Sequence, residues 1–150
     1  MAVATIGGWL VNTIATLTSG NPFTVSYSGD VANTGNDDQG VDIVGNPHLS
    51  HPTISKWFNT AAFQAPAQYT YGTVGRNTMR SDWYRDFDAS IFRNFTVERI
   101  RTEFRAEAFN VTNTPVWAPP AATLNSTTFG RISSTASTQR ELQLALKVYF

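Results

Sequence analysis

The last ten residues, 141–150, constrain the fold more than any other segment of the chain. Successive side chains of a β-strand point to opposite faces of a sheet, so residues of the same parity share a face. One parity is entirely apolar, namely Leu142, Leu144, Leu146, Val148 and Phe150. The other is mostly polar, namely Glu141, Gln143, Ala145, Lys147 and Tyr149. This alternation predicts either a strand of a bacterial outer-membrane barrel, apolar towards lipid and polar towards the lumen, or the edge strand of a soluble sandwich.

The composition excludes several classes of function. The 150 residues are enough for one domain, and eleven basic residues balance eleven acidic ones. This balance provides no electrostatic basis for binding nucleic acid. Cysteine is absent, so the sequence contains neither a disulfide framework nor a thiolate metal site. No segment has the roughly 18 consecutive apolar residues of a membrane-spanning helix.

Four segments are predicted to form long strands, near residues 9–18, 85–95, 99–110 and 141–150. Helix signals are weak, because the chain is rich in Thr, Asn, Gly and aromatic residues, which favour strands and turns. The third segment alternates almost as clearly as the last, with a charged face opposite an apolar face of Ile100, Thr102, Phe104, Ala106 and Ala108. The predicted fold class is therefore all-β, with antiparallel strands.

The connections between these segments differ greatly in length. A tight turn near residues 96–98 joins the second and third segments, whereas residues 19–84 and 111–140 form long loops. Loops this long are uncommon in compact soluble domains, but outer-membrane barrels combine short periplasmic turns with long extracellular loops. The pattern favours an incomplete outer-membrane β-barrel of about four strands. The alternative is a soluble β-sandwich that binds carbohydrate or another ligand.

Seven motifs occur in an order and spacing that resemble a known family. They are Gly7-Gly8-Trp9, Ser19-Gly20-Asn21-Pro22-Phe23, Trp57-Phe58-Asn59-Thr60-Ala61-Ala62-Phe63, Gly72-Thr73-Val74-Gly75-Arg76-Asn77, Phe104-Arg105-Ala106-Glu107-Ala108-Phe109-Asn110-Val111-Thr112-Asn113, Phe129-Gly130-Arg131-Ile132 and the terminal strand. Together they resemble the carboxy-terminal part of TonB-dependent outer-membrane receptors of the Oar-like type. Such receptors are abundant in acidobacteria and often carry an amino-terminal carboxypeptidase-regulatory-like domain.

The resemblance implies a location, partners and a function. It implies that residues 1–150 are a single segment that supplies the last four strands of a 22-stranded, plugged barrel in the bacterial outer membrane. The expected partners are outer-membrane lipid and the remainder of the receptor barrel and plug. The family moves large substrates with energy passed on by TonB, which contacts a segment before the plug. Nothing in this chain matches that segment, so we expect no transport by the chain alone.

A ladder of alternating charge lies on one face of the third strand, namely Arg101, Glu103, Arg105 and Glu107. In a barrel lumen these side chains are predicted to pair with each other and with Asp86 and Asp88 of the neighbouring strand, or to contact the plug. Paired carboxylates also occur in acid–base catalysis, but no pocket or perturbed environment is visible around these two glutamates. The sequence also lacks a Ser/His/Asp order and a Gly-rich phosphate loop. It therefore predicts neither an enzyme nor a cofactor.

The terminal strand resembles the carboxy-terminal signal that the barrel-assembly machinery reads, through Leu142, Leu144, Leu146, Val148 and Phe150. Such a strand can pair with the open edge of the machinery and later close against the first strand of the barrel. The alternative is a plain membrane-facing strand that nothing recognises. Other aromatic residues, at the predicted strand ends, are expected to form interfacial girdles, namely Trp9, Trp83, Tyr84 and Trp117.

The first long loop contains further candidates for binding. Aromatic residues could form a platform for a sugar or peptide, or could staple the loop to the barrel rim, namely Trp57, Phe58, Phe63, Tyr69 and Tyr71. His48 and His51 could bind a metal together with nearby aspartates, and residues 30–42 carry oxygens suited to Ca²⁺. A solvated loop is the favoured interpretation, since prolines flank the histidines and the EF-hand spacing is absent. Residues 29–40 are expected to be irregular and residues 54–63 to contain one helical turn.

Overall fold

A computed structural model of the protein describes residues 8–150, so Gly7 of the first motif lies outside the described part. Within it the only helical element is one turn of 3-10 helix at Thr60–Ala62. The strands, in chain order, are β1 (Trp9–Thr18), β2 (Pro22–Phe23), β3 (Ser26–Ser28), β4 (Asp38–Gly40), β5 (Asp42–Ile43), β6 (Phe63–Gln64), β7 (Met79–Arg80), β8 (Tyr84–Val97), β9 (Ile100–Phe109) and β10 (Glu141–Tyr149). Over residues 8–150, no helix has the length and apolar character needed to cross a membrane.

The four long strands form one antiparallel sheet in the order β1-β8-β9-β10. All four coincide with the predicted segments to within two residues at each end. β8 lies in the interior of the sheet and pairs with β1 on one side and with β9 on the other. The prediction of an all-β fold with antiparallel strands is confirmed.

A two-residue turn, Glu98–Arg99, joins β8 to β9, since Val97 pairs with Ile100. Glu98 has a φ of 55°, and the primed turns of two-residue hairpins require positive φ at their first central residue. The sequence placed this turn at 96–98 and began the third strand at Arg99. The structure corrects both positions, because Thr96 and Val97 still belong to the ladder with β9.

The chain divides into two compact units. The first contains the four long strands, and its described residues are 8–18, 84–115 and 137–150. The second comprises Ser19–Trp83 and Val116–Ala136, which is most of the sequence predicted to form the two long loops.

The second unit has a core of its own, made of Val25, Val41, Phe58, Ala62, Phe63 and Met79. Three short strand pairs surround this core, in which β2 pairs with β7, β3 with β4 and β5 with β6. Backbone hydrogen bonds join its two segments, since the N–H of Leu124 donates to the carbonyl of Ser26 at 2.8 Å and the N–H of Trp57 to that of Gly130 at 2.8 Å. The two predicted loops therefore fold together as one unit.

Local predictions for the first loop are corrected in one place and confirmed in another. Residues 29–40 were expected to be irregular, but β4 lies at their end because Asp38 and Gly40 pair with Ser28 and Ser26. The expected helical turn within residues 54–63 is the 3-10 turn at Thr60–Ala62. Gly72 is required nearby, because a Cβ atom at this position would overlap the backbone of residues 40–41.

The structure does not support the soluble sandwich. A sandwich buries the apolar sides of its strands between two packed sheets. In residues 8–150 the long strands belong to a single sheet, and on its apolar side Leu142 and Leu144 are 72% and 74% exposed. A surface of this kind lacks the second layer that a sandwich requires.

Candidate functional site

The register of the sheet decides which residues share a face, since residues directly opposite each other in an antiparallel pair point to the same side. One row across the sheet consists of Trp9, Arg93, Phe104 and Leu146. The next row consists of Val11, Ile91, Ala106 and Leu144. We call this side the apolar face. We call the opposite side, which carries the charge ladder of β9, the polar face.

Arg105 is the centre of the charge ladder. Its Nη2 atom lies 3.7 Å from Oε1 of Glu103, and its Nη1 atom lies 3.7 Å from Oε1 of Glu107. The three side chains alternate along β9 at a spacing of two residues, so they point the same way and the cation lies between two anions. The predicted pairing within the ladder is therefore present around Arg105.

The neighbouring strands place a π-system against each arginine of the ladder. Phe92 is opposite Arg105 in the register, and the Cζ atom of Arg105 lies 4.5 Å from the centre of the Phe92 ring. Tyr149 is opposite Arg101, with 5.8 Å between the Cζ atom and the ring centre. A guanidinium over an aromatic face is attracted by the ring quadrupole. These contacts add to the ion pairs that hold Arg105 on the polar face.

The predicted pairing of the ladder with Asp86 and Asp88 is wrong. The register places Glu107 opposite Ser90, so both aspartates lie nearer the end of the sheet where β8 begins. The carboxylate of Asp88 instead accepts a hydrogen bond from the backbone N–H of Asn110, with 3.0 Å between Oδ1 and N. Sequence alternation shows which residues share a face, but the register decides which of them meet.

A pocket of about 330 Å³ lies at this end of the sheet on the polar side. Its lining includes three carboxylates and two aromatic rings, and the residues are Tyr84, Asp86, Asp88, Phe109, Asn110, Ser137, Thr138 and Glu141. All of them belong to the first unit. The pocket makes this end of the polar face acidic, whereas the ladder further along β9 alternates in sign.

Asn110 organises the end of β9, a role that the motif containing it does not by itself predict. Its side-chain amide donates to the carbonyl of Thr138 at 3.0 Å, and its Oδ1 atom accepts from the N–H of Thr114 at 3.1 Å. The residue is buried and has a φ of 47°. An asparagine directly after a strand, followed by Val-Thr-Asn, was the available signal, since Asn tolerates the left-handed region and caps turns.

Four of the five residues proposed as the assembly signal share the apolar face of β10. Leu142, Leu144, Leu146 and Val148 are opposite Ala108, Ala106, Phe104 and Thr102 of β9. All four are exposed, and Phe150 follows the last residue of the strand. Among the described residues β10 pairs only with β9, so its other edge presents unpaired backbone groups.

An aromatic cluster surrounds Arg93 on the apolar face. The Cζ atom of Arg93 lies 5.0 Å from the ring centre of Trp9 and 4.7 Å from that of Phe95. Trp9 also meets the ring of Phe104 edge to face at 6.4 Å. This placement agrees with the expectation for Trp9 as a girdle residue. The expectation is wrong for Tyr84, which is opposite Thr18 and lies on the polar face.

The aromatic platform in the first loop is corrected. Phe58 and Phe63 are 0% and 5% exposed and belong to the core of the second unit, so neither can contact a ligand. Trp57 is half-buried, and its indole N–H donates to the carbonyl of Arg80 at 2.9 Å. Tyr69 and Tyr71 remain exposed. An aromatic residue in a loop gives the same sequence signal whether it is buried or exposed.

The metal candidates find no support in the structure. Residues 8–150 contain no group of three or more His, Asp or Glu side chains able to hold a metal ion. The Asp30 carboxylate accepts hydrogen bonds from the backbone N–H groups of Thr34 at 2.8 Å and Gly35 at 2.7 Å, and from the Gln39 side chain at 2.7 Å. These bonds lower the pKa of Asp30, with that from Thr34 contributing most. Both oxygens are thus used by N–H donors within the loop.

Comparison with known proteins gives one finding. A family model described as an outer membrane beta barrel domain matches residues 1–143 of the chain. No curated protein and no solved structure matches it.

Proposed function

Because the chain belongs to the outer membrane β-barrel domain family, we propose that its four long strands form part of the wall of a TonB-dependent transporter. Membership of the family places the chain in the outer membrane. In such a barrel the apolar face contacts lipid and the polar face lines the lumen. The transporter role goes beyond family membership, and it is supported by the two faces of the sheet and by the number of its strands.

The observation that carries the proposal is the division of the sheet into two faces. The polar face has a charge ladder in which Arg105 lies between Glu103 and Glu107 at 3.7 Å from each. The apolar face exposes Leu142 and Leu144. Charged side chains are strongly disfavoured at the lipid face of a barrel but are common in a lumen. A lumen lined in this way suits a large polar substrate or a polar plug.

The size of the sheet supports a larger receptor. Within residues 8–150 the sheet has four long strands, with β1 at one edge and β10 at the other. Closed barrels whose interior is just wide enough to be filled by side chains have about eight strands, and plugged transporters have 22. We therefore propose that further strands of the same receptor complete the wall, and that TonB contacts parts of the receptor outside this chain. The order of the seven motifs supports this receptor class over smaller barrels.

The same sheet supports a role for β10 in assembly. The barrel-assembly machinery is proposed to recognise Leu142, Leu144, Leu146, Val148 and Phe150. Four of these side chains form an exposed apolar row on a strand whose outer edge is unpaired in the described residues. A strand with a free edge can add to the edge of another sheet through its backbone hydrogen bonds. The register of the apolar row then determines which face turns to lipid.

The experiment that tests the transporter role uses the protein in its native membrane. Outer membranes of the source organism are probed with an antibody against residues 30–42, and the detected protein is then tested for binding to the periplasmic domain of TonB. We expect a band several times larger than the 16.5 kDa of this chain, which binds the TonB domain. A 16.5 kDa outer-membrane protein that does not bind TonB would overturn the transporter role and leave the barrel family intact.

A further inference from the structure

Two adjoining recesses form a groove on the polar face. The first is the acidic pocket of about 330 Å³ at the end of the sheet where β8 begins. The second has a volume of about 220 Å³ and lies further along β8, around Ser90. Asp88 and Phe109 line both recesses, so the recesses meet at these two residues. We call the combined feature the aromatic groove, because Tyr84 and Phe109 line the first recess and Phe92 and Phe109 line the second.

The register spaces the three rings evenly along the groove. It places Phe109 level with Asp88, which is midway between Tyr84 and Phe92 on β8. Because a strand rises about 3.3 Å per residue, the Cα atoms of Tyr84 and Phe92 are about 26 Å apart along the strand, with Phe109 half-way. The groove is therefore elongated, and it suits a chain-like ligand better than a compact one.

Two of the three rings have no stacking partner within the described chain. Phe92 has the guanidinium of Arg105 over its face, at 4.5 Å from the ring centre. In residues 8–150 neither Phe109 nor Tyr84 stacks against another ring or a cation, and these two side chains are 40% and 37% exposed. An aromatic face that meets the water of a lumen forgoes the free energy that burial of its apolar surface would provide. Both rings therefore offer an apolar platform to a ligand.

The side chains between the rings are hydrogen-bonding groups of mixed type. The groove includes carboxylates, among them Asp86, Asp88 and Glu107. It also includes neutral amides and hydroxyls, among them Asn12, Ser90 and Thr138. Carboxylates only accept hydrogen bonds, whereas the neutral groups both donate and accept. Residues 8–150 bring no three acidic side chains together in a way that holds a metal ion, so the groove suits a ligand with many dispersed polar groups rather than a point charge.

We propose that the aromatic groove binds an oligosaccharide, with sugar rings stacked on Phe109 and Tyr84. The C–H groups on the face of a sugar ring pack against an aromatic face, which is the negative side of the ring quadrupole. Sugar hydroxyls donate to the carboxylates and exchange hydrogen bonds with Ser90 and Asn12. The proposal names a substrate class for the proposed transporter, and it rests on the polar face lining the lumen.

Other classes of ligand fit the groove less well. The carboxylates repel an anionic ligand, and an apolar chain would bury them without hydrogen-bond partners. A cationic peptide meets the guanidinium of Arg105, which already lies over Phe92 at one end of the groove. A neutral, hydroxyl-rich chain avoids all three conflicts.

The primary experiment uses calorimetry to measure binding of neutral hexasaccharides of glucose, xylose and N-acetylglucosamine to the full protein, purified from outer membranes in a mild detergent. Phe109→Ala and Tyr84→Ala each remove a ring of the groove, and Tyr149→Ala removes an aromatic ring of the same face outside it. We expect a hexasaccharide to bind the wild type and Y149A equally, and F109A and Y84A about tenfold more weakly, as is typical for the loss of one stacking ring. Failure of all three sugars to bind, equal binding by every variant, or binding of pentalysine in their place would overturn the proposal.

A second measurement decides the question if F109A or Y84A does not accumulate in the membrane. Phe109→Trp and Tyr149→Trp keep an aromatic ring at each position and report on its surroundings by fluorescence. We expect the hexasaccharide to change the emission of F109W and to leave that of Y149W unchanged, and equal responses would contradict the site. A protein that binds the TonB domain but none of the sugars would overturn the oligosaccharide site alone, whereas one that binds a sugar but not TonB would overturn the transporter role alone.

Discussion

Arg85 and Arg93 lie on the same face of β8, eight residues apart, and bracket the apolar side chains of Phe87, Ala89 and Ile91. A strand rises about 3.3 Å per residue, so their Cα atoms are separated by about 26 Å. Barrel strands tilt by about 35–45°, so this stretch covers about 20 Å of an apolar band that is about 25 Å tall. Long arginine side chains can reach the headgroups from such positions. We therefore expect the two arginines to lie towards opposite membrane interfaces and Ala89 to lie near the midplane.

The first prediction tests this midplane. Ala89→Arg places a cation on the lipid face at mid-depth, and we expect it to lower the free energy of unfolding by about 2–4 kcal/mol. Ser90→Arg adds the same side chain one residue later on the polar face, where the lumen can solvate it, and serves as the control. Urea unfolding of the full protein in bilayers measures both. Equal losses for A89R and S90R would mean that the two faces do not differ in environment.

The second prediction concerns the charge ladder. Arg105→Leu leaves Glu103 and Glu107 without the cation that lies between them, and we expect it to destabilise the protein by about 1 kcal/mol, because both ion pairs are partly exposed. Replacing both glutamates by Gln in the same variant removes the two carboxylate charges that have lost their partner, so we expect part of the loss to be recovered.

Arg101→Leu provides the comparison for this prediction, since it removes a neighbouring cation of the same ladder. Urea unfolding under identical conditions gives the three differences. If the triple variant is less stable than R105L, the glutamates do not act through Arg105 and the ladder is not a coupled unit.

The third prediction concerns pH. Hydrogen bonds from Thr34 and Gly35 lower the pKa of Asp30 below its ordinary value of 3.8, so the folded loop binds the proton less tightly than the unfolded loop does. The stabilisation by Asp30 is therefore complete above pH about 3.8, the unfolded pKa, and is lost as the pH falls through the lowered pKa. We expect the amides of Thr34 and Gly35 to lose hydrogen-exchange protection in that acidic range.

Two variants test the assignment to Asp30. Asp30→Asn has one acceptor oxygen instead of two, so we expect weaker protection of the same two amides at neutral pH. Asp37→Asn changes a carboxylate of the same loop and should leave that protection unchanged. Retained protection in D30N would show that the loop does not depend on the Asp30 carboxylate.

The fourth prediction concerns the fold of the second unit. Gly72→Ala introduces a Cβ atom that overlaps the backbone of Gly40 and Val41, which cannot move as a flexible side chain can. We expect a destabilisation of about 1–3 kcal/mol, typical of overpacking, and faster proteolysis within residues 19–83 of the membrane-embedded protein. Gly45→Ala makes only ordinary contacts with Ala62 and is the matched control. Equal proteolysis of G72A and G45A would contradict the close packing at Gly72.

The long strands were predictable because the alternation of apolar and polar residues that identifies each strand lies within that strand. In β10, parity alone separates Leu144 from Ala145, and the structure confirms both the strand and its faces. The second unit was not predictable in this way, because strands of two or three residues carry no periodicity. The sequence therefore does not show that Phe58 and Phe63 belong to this core, rather than to a ligand platform or to a staple on the barrel rim.

The parts of the site that depend on register were also beyond the sequence. Whether Asp88 meets Arg105 or the backbone of Asn110 depends on how β8 slides along β9, and a shift of two residues preserves every face assignment. The same applies to Ala89 and Ala108, which become neighbours only in the observed register. Alternation in the sequence predicts which face of the sheet a residue lies on, whereas the strand register determines which residues of that face are neighbours.

Spin labels can test directly whether β10 is a wall strand of an outer-membrane barrel, with lipid on one side and the lumen on the other. These 150 residues contain no cysteine, so a single cysteine at each position from 142 to 148 can be spin-labelled without a competing thiol in this part of the protein. The measurement compares label accessibility to oxygen, which concentrates in the bilayer, and to a water-soluble nickel chelate. We expect high oxygen accessibility at Leu142, Leu144, Leu146 and Val148 and lower values at the residues between them. Uniform accessibility along the strand, or nickel access at the leucines, would contradict it.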